Sequence, residues 1–382
     1  MKFLSENRNA QNLPAQTKSA LESAQQERFE IVFANSGMFL KTVLDSLSIR
    51  LDIDPILYDR PAEFLGNMSY ADLCAESRKY LANSQIPKSA HGNLATVISD
   101  NLQLTRAFAD PQKAIDFIKS KIRKIADRFP RKASDIEVGR NRGDVIDPYI
   151  IAATQYLLFG GNFQSAIGAM VSHKALMMIE GLLGHLHEDV IGQMRGNVRA
   201  PEPRGKDQES FSYEVNPFPG TDVLQPPSYE GDVMKFHQIK SKTGSAKGGD
   251  GRRLGEQLKF TRDHYGGAIY YHALVGNTLV GHRSKRGVEK AAPNVIVLVG
   301  DASFRQLTHS DHGAELLLRT YQSAFVQISE ETGYNIEDVK STIAETFIHR
   351  ANHAGDDFLN NLLNSVVSGD TNEQDSRLFN KR

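Results

Sequence analysis

Val-Met-Lys-Phe-His-Gln-Ile-Lys-Ser-Lys, residues Val233 to Lys242, follows the segment Gly-Thr-Asp-Val-Leu-Gln, whose aspartate is Asp222. Between the two lies Pro226, Pro227, Ser228, Tyr229, Glu230 and Gly231, and clustered Pro and Gly end strands. The pattern predicts two strands paired as a hairpin. Side chains two apart on a strand share a face, so Gln238 and Lys240 project together, beside Asp222 on the neighbouring strand. A carboxylate, an amide oxygen and a lysine converging at a strand end suit metal-assisted phosphodiester hydrolysis. The carboxylate would hold a hard cation, which prefers oxygen ligands and retains water; the lysine would lie against the attacking water and the scissile phosphate.

The run from Asp222 to Gln238-Ile239-Lys240 resembles the PD-(D/E)XK signature of type II restriction endonucleases and related DNA nucleases, in a form where Gln replaces the second acid. The text from His237 to Gly251 resembles restriction enzymes more than repair nucleases, in the ApaLI-like group. The resemblance covers roughly residues 164 to 300 and implies an αβββαβ core, Mg²⁺, double-stranded DNA as partner, and a homodimer. It implies hydrolysis at a specific short site, with Asp222 a metal ligand, Gln238 orienting a water or phosphate oxygen, and Lys240 positioning the nucleophile. Two departures matter. No proline directly precedes Asp222, and Gln238 is a neutral, weaker ligand than a carboxylate. A metal site with one acid needs another, and in related nucleases the helix before the catalytic strands often contributes a glutamate. Glu180, flanked by Met178, Ile179, Leu182 and Leu183, is the candidate metal ligand; Glu188 is the alternative, and each is equally readable as an ordinary surface glutamate.

With 382 residues the chain is long enough for two or three domains and a sizeable core. A net charge of -1 does not announce a nucleic-acid partner, so local patches must carry that argument. The single cysteine, Cys74, excludes an internal disulfide and any multi-cysteine zinc site, in keeping with a reducing cytoplasm. No run has the length and apolarity of a signal peptide or a membrane span. The expectation is a soluble, cytoplasmic protein.

The fold class expected is mixed α/β. Residues 1–148 form a helical N-terminal region, 149–310 the nuclease core, and 311–382 C-terminal helices that pack on the core or make a dimer contact. Helical spacing of apolar residues predicts helices within Thr17 to Leu47, broken near Gly37, then over Tyr70 to Leu81, Leu94 to Phe108, Gln112 to Phe129 and Gln164 to Met194. Ser210 to Val215 alternates like a strand, Leu254 to His264 reads as a helix, Gly267 to Val275 reads as a buried strand and Val295 to Val299 as an apolar strand. Helices follow over Gly313 to Glu330 and Ile336 to Val367.

Basic residues gather in three places. One is the stripe from Lys113 to Arg142, readable as a solvated face or a phosphate-contacting arm. The second is the Gly-rich loop after the lysine strand, with Lys242, Lys247, Arg252 and Arg253. It lacks the order of a phosphate-binding Walker loop; its cations suit a DNA backbone. The third is Gly281 to Lys290, with Arg283, Lys285 and Arg286, placed between two strands and able to enter a groove. His349 and His353 have zinc-peptidase spacing, but Arg350 stands where that motif requires Glu. His185 with His187, and His309 with His312, lack metal partners in the sequence. Two other readings remain: a structure-selective or phage-defence nuclease of the same fold, and a non-catalytic DNA-binding protein whose Gln238 records a lost metal site.

Overall fold

The computed structural model describes residues 11–128, 148–203, 207, 210–242, 250–276, 283–332 and scattered positions between 341 and 363. The protein is mixed α/β, with helices at the N-terminal side, a five-stranded sheet interleaved with helices, and helices after it. It divides into two compact units, one of Met1–Ser120 with Leu183–Val326, the other of Lys121–Leu182 with Gln327–Arg382. The N-terminal helices and the sheet thus belong to one unit.

In that first unit, helices Ala15–Gln26, Phe29–Val32, Ser36–Ser46, Tyr70–Ala82 and His91–Ala107 appear where apolar periodicity places them. The break falls at 33–35 rather than at Gly37. Asn35 is the cause: its side-chain oxygen accepts the Met38 N–H at 2.8 Å, which satisfies a donor that the helix start leaves without a partner. Gly37 sits inside the new helix, where an added Cβ would fall 2.7 Å from the Tyr58 ring. Phe29 and Phe39 meet edge to face at 4.9 Å, and both join a buried cluster with Leu40, Leu73 and Ile98.

Among the described residues the sheet has the order β1-β2-β3-β4-β5, with β1 Val198–Arg199, β2 Val223–Gln225, β3 Lys235–Lys242, β4 Ala268–Val275 and β5 Ile296–Val299. The expected hairpin is present: β2 runs antiparallel to β3, with Val223 opposite His237 and Gln225 opposite Lys235. β3–β4 and β4–β5 are parallel, each joined by a helical crossover, Asp250–Tyr265 and Arg283–Ala291. With the Phe163–Ile191 helix in front, the order is α-β-β-β-α-β, then a helix and β5.

Phe236, His237, Gln238 and Ile239 are all buried, because helices cover both faces of the parallel part and alternation is lost there. One face carries Leu224, Phe236, Ile269 and Tyr271 against Leu258 and Tyr265 of the first crossover helix. Each fully buried Leu or Phe there contributes about 1.5–3 kcal/mol. The two crossover helices pack closely through glycines. An added Cβ at Gly251 would fall 2.5 Å from Ser284 O, at Gly255 2.7 Å from Val288 O, and at Gly287 2.9 Å from Arg252 N.

One expected strand is corrected. Ser210 to Val215 is not a strand, and the first strand is Val198–Arg199 instead. The alternation there reflects aromatic docking: Tyr213 stacks on Phe260 at 4.4 Å and donates its hydroxyl to Phe260 O, while Ser212 O accepts from Val215 and Asn216 to close a turn. The basic segment expected between two strands does lie between β4 and β5, and it folds as the Arg283–Ala291 helix, seated on its neighbour by Gly287 and Val288.

In the second unit, most of the Phe163–Ile191 helix lies with Pro148–Ala153 and a π turn at Thr154–Leu158, where Tyr156, Leu157 and Leu158 are exposed. Arg123 pairs with Glu331. Beyond Arg123 the side chains of the basic stripe lie outside the described residues, as does most of Ile336 to Val367. No helix among the described residues is long and apolar enough to cross a membrane.

Candidate active site

Asp222 stands directly before β2 and extends the hairpin by one step, its N–H donating to His237 O at 2.7 Å. That register brings its side chain to Gln238 and Ile239. Oδ2 accepts the Ile239 N–H at 2.6 Å and Gln238 Nε2 at 2.5 Å. Lys240, two residues on and on the same face, is partly exposed. Asp222, Gln238 and Lys240 line one cavity of about 240 Å³, so the three residues of the sequence motif are together.

Glu188, in the last turn of the Phe163–Ile191 helix, lines the same cavity. Glu180, eight residues earlier in sequence, is exposed and belongs to the second unit. Within the first unit the acid beside Asp222 is therefore the alternative glutamate.

The sequence reading missed Arg199. Its Nε donates to Asp189 Oδ1 at 3.1 Å, Nη2 to Glu188 Oε2 at 2.8 Å and Glu202 Oε2 at 3.2 Å, and Nη1 to the Asp222 carbonyl at 2.6 Å. Nη1 is also 3.8 Å from Asp222 Oδ1. A lone arginine in a two-residue strand carries no periodic or motif signal. Only its setting between Asp189 and Glu202 hinted at charge pairing.

Of the basic residues expected at DNA, Arg253 lines the site cavity. Arg252 faces another side of the same helix, pairs with Glu256 at 2.8 Å, and borders an open groove of about 650 Å³ with Lys259, Lys290 and Phe211. Lys285 pairs with Glu289 at 3.4 Å and Arg286 is exposed. The side chains of Lys242 and Arg283, and all of Lys247, lie outside the described residues.

Burial pushes the Asp222 carboxyl up to about 8, and the Glu188 carboxylate pushes the same way; Lys240, Arg199 and the Ile239 N–H pull it down. Burial alone would lower the Arg199 guanidinium, but Asp222 and Glu188 outweigh it and leave it raised. The carboxyl, not the guanidinium, is the member whose charge depends on what else enters the cavity.

Among the described residues no group of three or more His, Cys, Asp and Glu is arranged to hold a metal. A Mg²⁺ ion does not need one, since it binds through one or two carboxylates and keeps several waters. Glu188 and Asp222 meet that requirement. Each has one oxygen held by protein donors, while Glu188 Oε1 and Asp222 Oδ1 accept no hydrogen bond from the described residues. Of the histidines, His185 lines the same cavity with Nδ1 3.9 Å from Glu188 Oε2, whereas His187 Nδ1 is bonded to Tyr321 OH at 2.8 Å and His353 Nδ1 to His349 O at 2.8 Å.

The sequence matches no protein-family model, and a search against curated proteins returned no match.

Proposed function

We propose that the protein is a Mg²⁺-dependent, site-specific endonuclease for double-stranded DNA, a type II restriction enzyme of the PD-(D/E)XK kind with Gln in the second acidic place. The observation that carries this is one cavity holding Asp222, Gln238, Lys240 and Glu188 at the end of a helix-covered sheet. Mg²⁺ bound there supplies Lewis acidity at the phosphate and a more acidic water. Asp222 and Glu188 are its carboxylate ligands. Gln238 fixes the Asp222 rotamer through the Nε2 to Oδ2 bond, and an acid in its place would set two carboxylate oxygens against each other at that distance. Lys240 holds the attacking water in line with phosphorus and offsets negative charge as the five-coordinate state forms. The water oxygen bonds to phosphorus and gives up one proton to solvent, the bond to the 3′ oxygen breaks, and that oxygen takes a proton from solvent, leaving a 5′-phosphate and a 3′-hydroxyl.

Arg253 serves the phosphate backbone beside the cut; Arg252, Lys285 and Arg286 serve it farther out. Cleavage of both strands at a palindrome calls for a two-fold homodimer, for which exposed Tyr156, Leu157 and Leu158 offer an apolar contact. Digestion of supercoiled plasmid with Mg²⁺ is the test. Discrete fragments are expected. A smear or random nicking would instead indicate a structure-selective or defence nuclease.

One observation favours a second reading, a non-catalytic DNA-binding protein. Asp222 Oδ2 is already satisfied by Gln238 and Ile239, and its carboxyl is held toward the neutral form. Calorimetric titration with Mg²⁺ and Ca²⁺ separates the two, since that reading requires no cation uptake.

A further inference from the structure

Glu188 and Asp222 are two acids lining one cavity, and something must hold them there. Glu188 hangs from the last turn of a helix and Asp222 from the start of a strand, and the group that reaches both is the Arg199 guanidinium. It is placed by backbone packing as well as by charge. An added Cβ at Gly192 would lie 2.8 Å from Arg199 Cβ and 2.9 Å from its Cα, so the chain just past the helix rests directly on β1 because residue 192 has no side chain. Gly192 N–H in turn donates to Glu188 O at 2.9 Å. A fork of donors in fixed geometry then takes Asp189, Glu188, Glu202 and the Asp222 carbonyl together.

We propose that Arg199 is the positioning residue of the cation site: it fixes Glu188 beside Asp222 and leaves one oxygen of each for the ion. This rests on the nuclease reading and deepens it. Arg199 occupies Glu188 Oε2 and the Asp222 main chain, so Oε1 and Oδ1 remain for coordination. Arg199, Lys240 and Arg253 stand among Asp189, Glu188, Glu202 and Asp222, so the locality favours a divalent ion when Asp222 is ionised. A lysine there keeps the charge and loses the fork, because one ammonium cannot reach Asp189, Glu188 and the Asp222 carbonyl at once. The effect expected is that of a group orienting a ligand from behind, about tenfold to a hundredfold in metal affinity.

The experiment is calorimetric titration of the full chain with Ca²⁺, without DNA. Wild type binds one ion at this site and Asp222→Asn abolishes the binding. Arg199→Lys weakens it by about tenfold or more, and Arg199→Lys combined with Glu188→Gln is no weaker than Glu188→Gln alone, since both act through one carboxylate. A purely structural clasp between helix and strand would lower the melting temperature without this non-additivity. Arg199→Lys binding as wild type does, or losses that simply add, would overturn the proposal. Should the arginine variant fail to fold, Asp189→Asn removes the acceptor of Nε alone; severalfold weaker binding is expected, and unchanged binding overturns the idea. Wild type that takes up neither Ca²⁺ nor Mn²⁺ would remove the metal site and the nuclease reading with it. Binding that is indifferent to Arg199 removes only the role given to Arg199.

Discussion

The two faces of β3 bury polar groups in opposite ways. On one, Gln238 and Lys240 end in a cavity with Asp222 and Glu188, where buried charge is opposed by Lys240, Arg199 and Arg253 nearby. On the other, His237 and His272 are fully buried and share a hydrogen bond of 2.9 Å, while His237 Nε2 and His272 Nδ1 meet no hydrogen-bond partner among the described residues. Burial pushes His272 down to about 3, and it pushes His237 down as well, helped by His272 and His309. Both faces therefore hold strongly shifted groups. Only the first also has opposing charges and access to solvent, and those two features, more than the shifts, mark a site for chemistry.

The sharpest way to break this contrast is to remove a group from each face and measure cleavage. Lys240→Ala should reduce cleavage by about a thousandfold or more, as for loss of a group that offsets charge in the transition state, with DNA binding largely kept. His272→Gln should leave cleavage within a few fold. Rates on a plasmid substrate decide this, and a Lys240→Ala enzyme that still cuts well would end the assignment of that lysine. Glu188→Gln should lose most activity and Glu180→Gln little, which compares the two glutamates directly.

That comparison also shows how much could be read in advance. The hairpin, the shared face of Gln238 and Lys240, and the existence of strands at 268–275 and 296–299 follow from local patterns of Pro, Gly and apolar residues, whereas the parallel pairing of those strands does not. Ser210 to Val215 misled because alternation records which side chains are buried, and Tyr213 is packed against a helix, not a neighbouring strand. Glu180 and Glu188 lie eight residues apart, two turns and about 80° round the helix, so both fall within one broad face and periodicity alone does not choose between them. The choice needs β1, a strand of two residues whose Arg199 holds Glu188. So short a strand has no period to detect.

The shifts on the two faces have opposite signs. For the histidines the folded value lies below the unfolded one near 6.5, so their stability is present above pH 6.5 and is lost as pH falls toward 3. Each proton so taken up on unfolding steepens the loss by roughly 1.4 kcal/mol per pH unit. For Asp222 the folded value lies above the unfolded 3.8, so in metal-free protein its contribution is present below pH 3.8 and is lost as pH rises through about 8. His272→Gln should flatten the acid limb of stability against pH. Asp222→Asn should raise the melting temperature at pH 8 by a few degrees and change it little near pH 4. Thermal melts in chelator across pH 4 to 8 check both; equal slopes for Asp222→Asn and wild type would show that the carboxyl is ionised throughout and that the site face is not under strain from it.

The smallest effect expected repeats the contrast on a single helix. Arg252 and Arg253 are neighbours, so on a helix they point about 100° apart. Arg253 enters the cavity of Asp222 and Lys240, whereas Arg252 is largely exposed and already paired with Glu256. An exposed pair of that kind is worth well under about 1 kcal/mol, so it restrains Arg252 little, and position alone should separate the two. If the scissile phosphate lies at Lys240, Arg253→Ala should weaken DNA binding severalfold and reduce the slope of log affinity against log salt by about one. Arg252→Ala should do less. Fluorescence anisotropy of a labelled duplex over a salt series, with Ca²⁺ in place of Mg²⁺, measures both. Equal losses would mean that DNA crosses both faces of the helix, and the groove bordered by Phe211, Lys259 and Lys290 would then belong to the binding path.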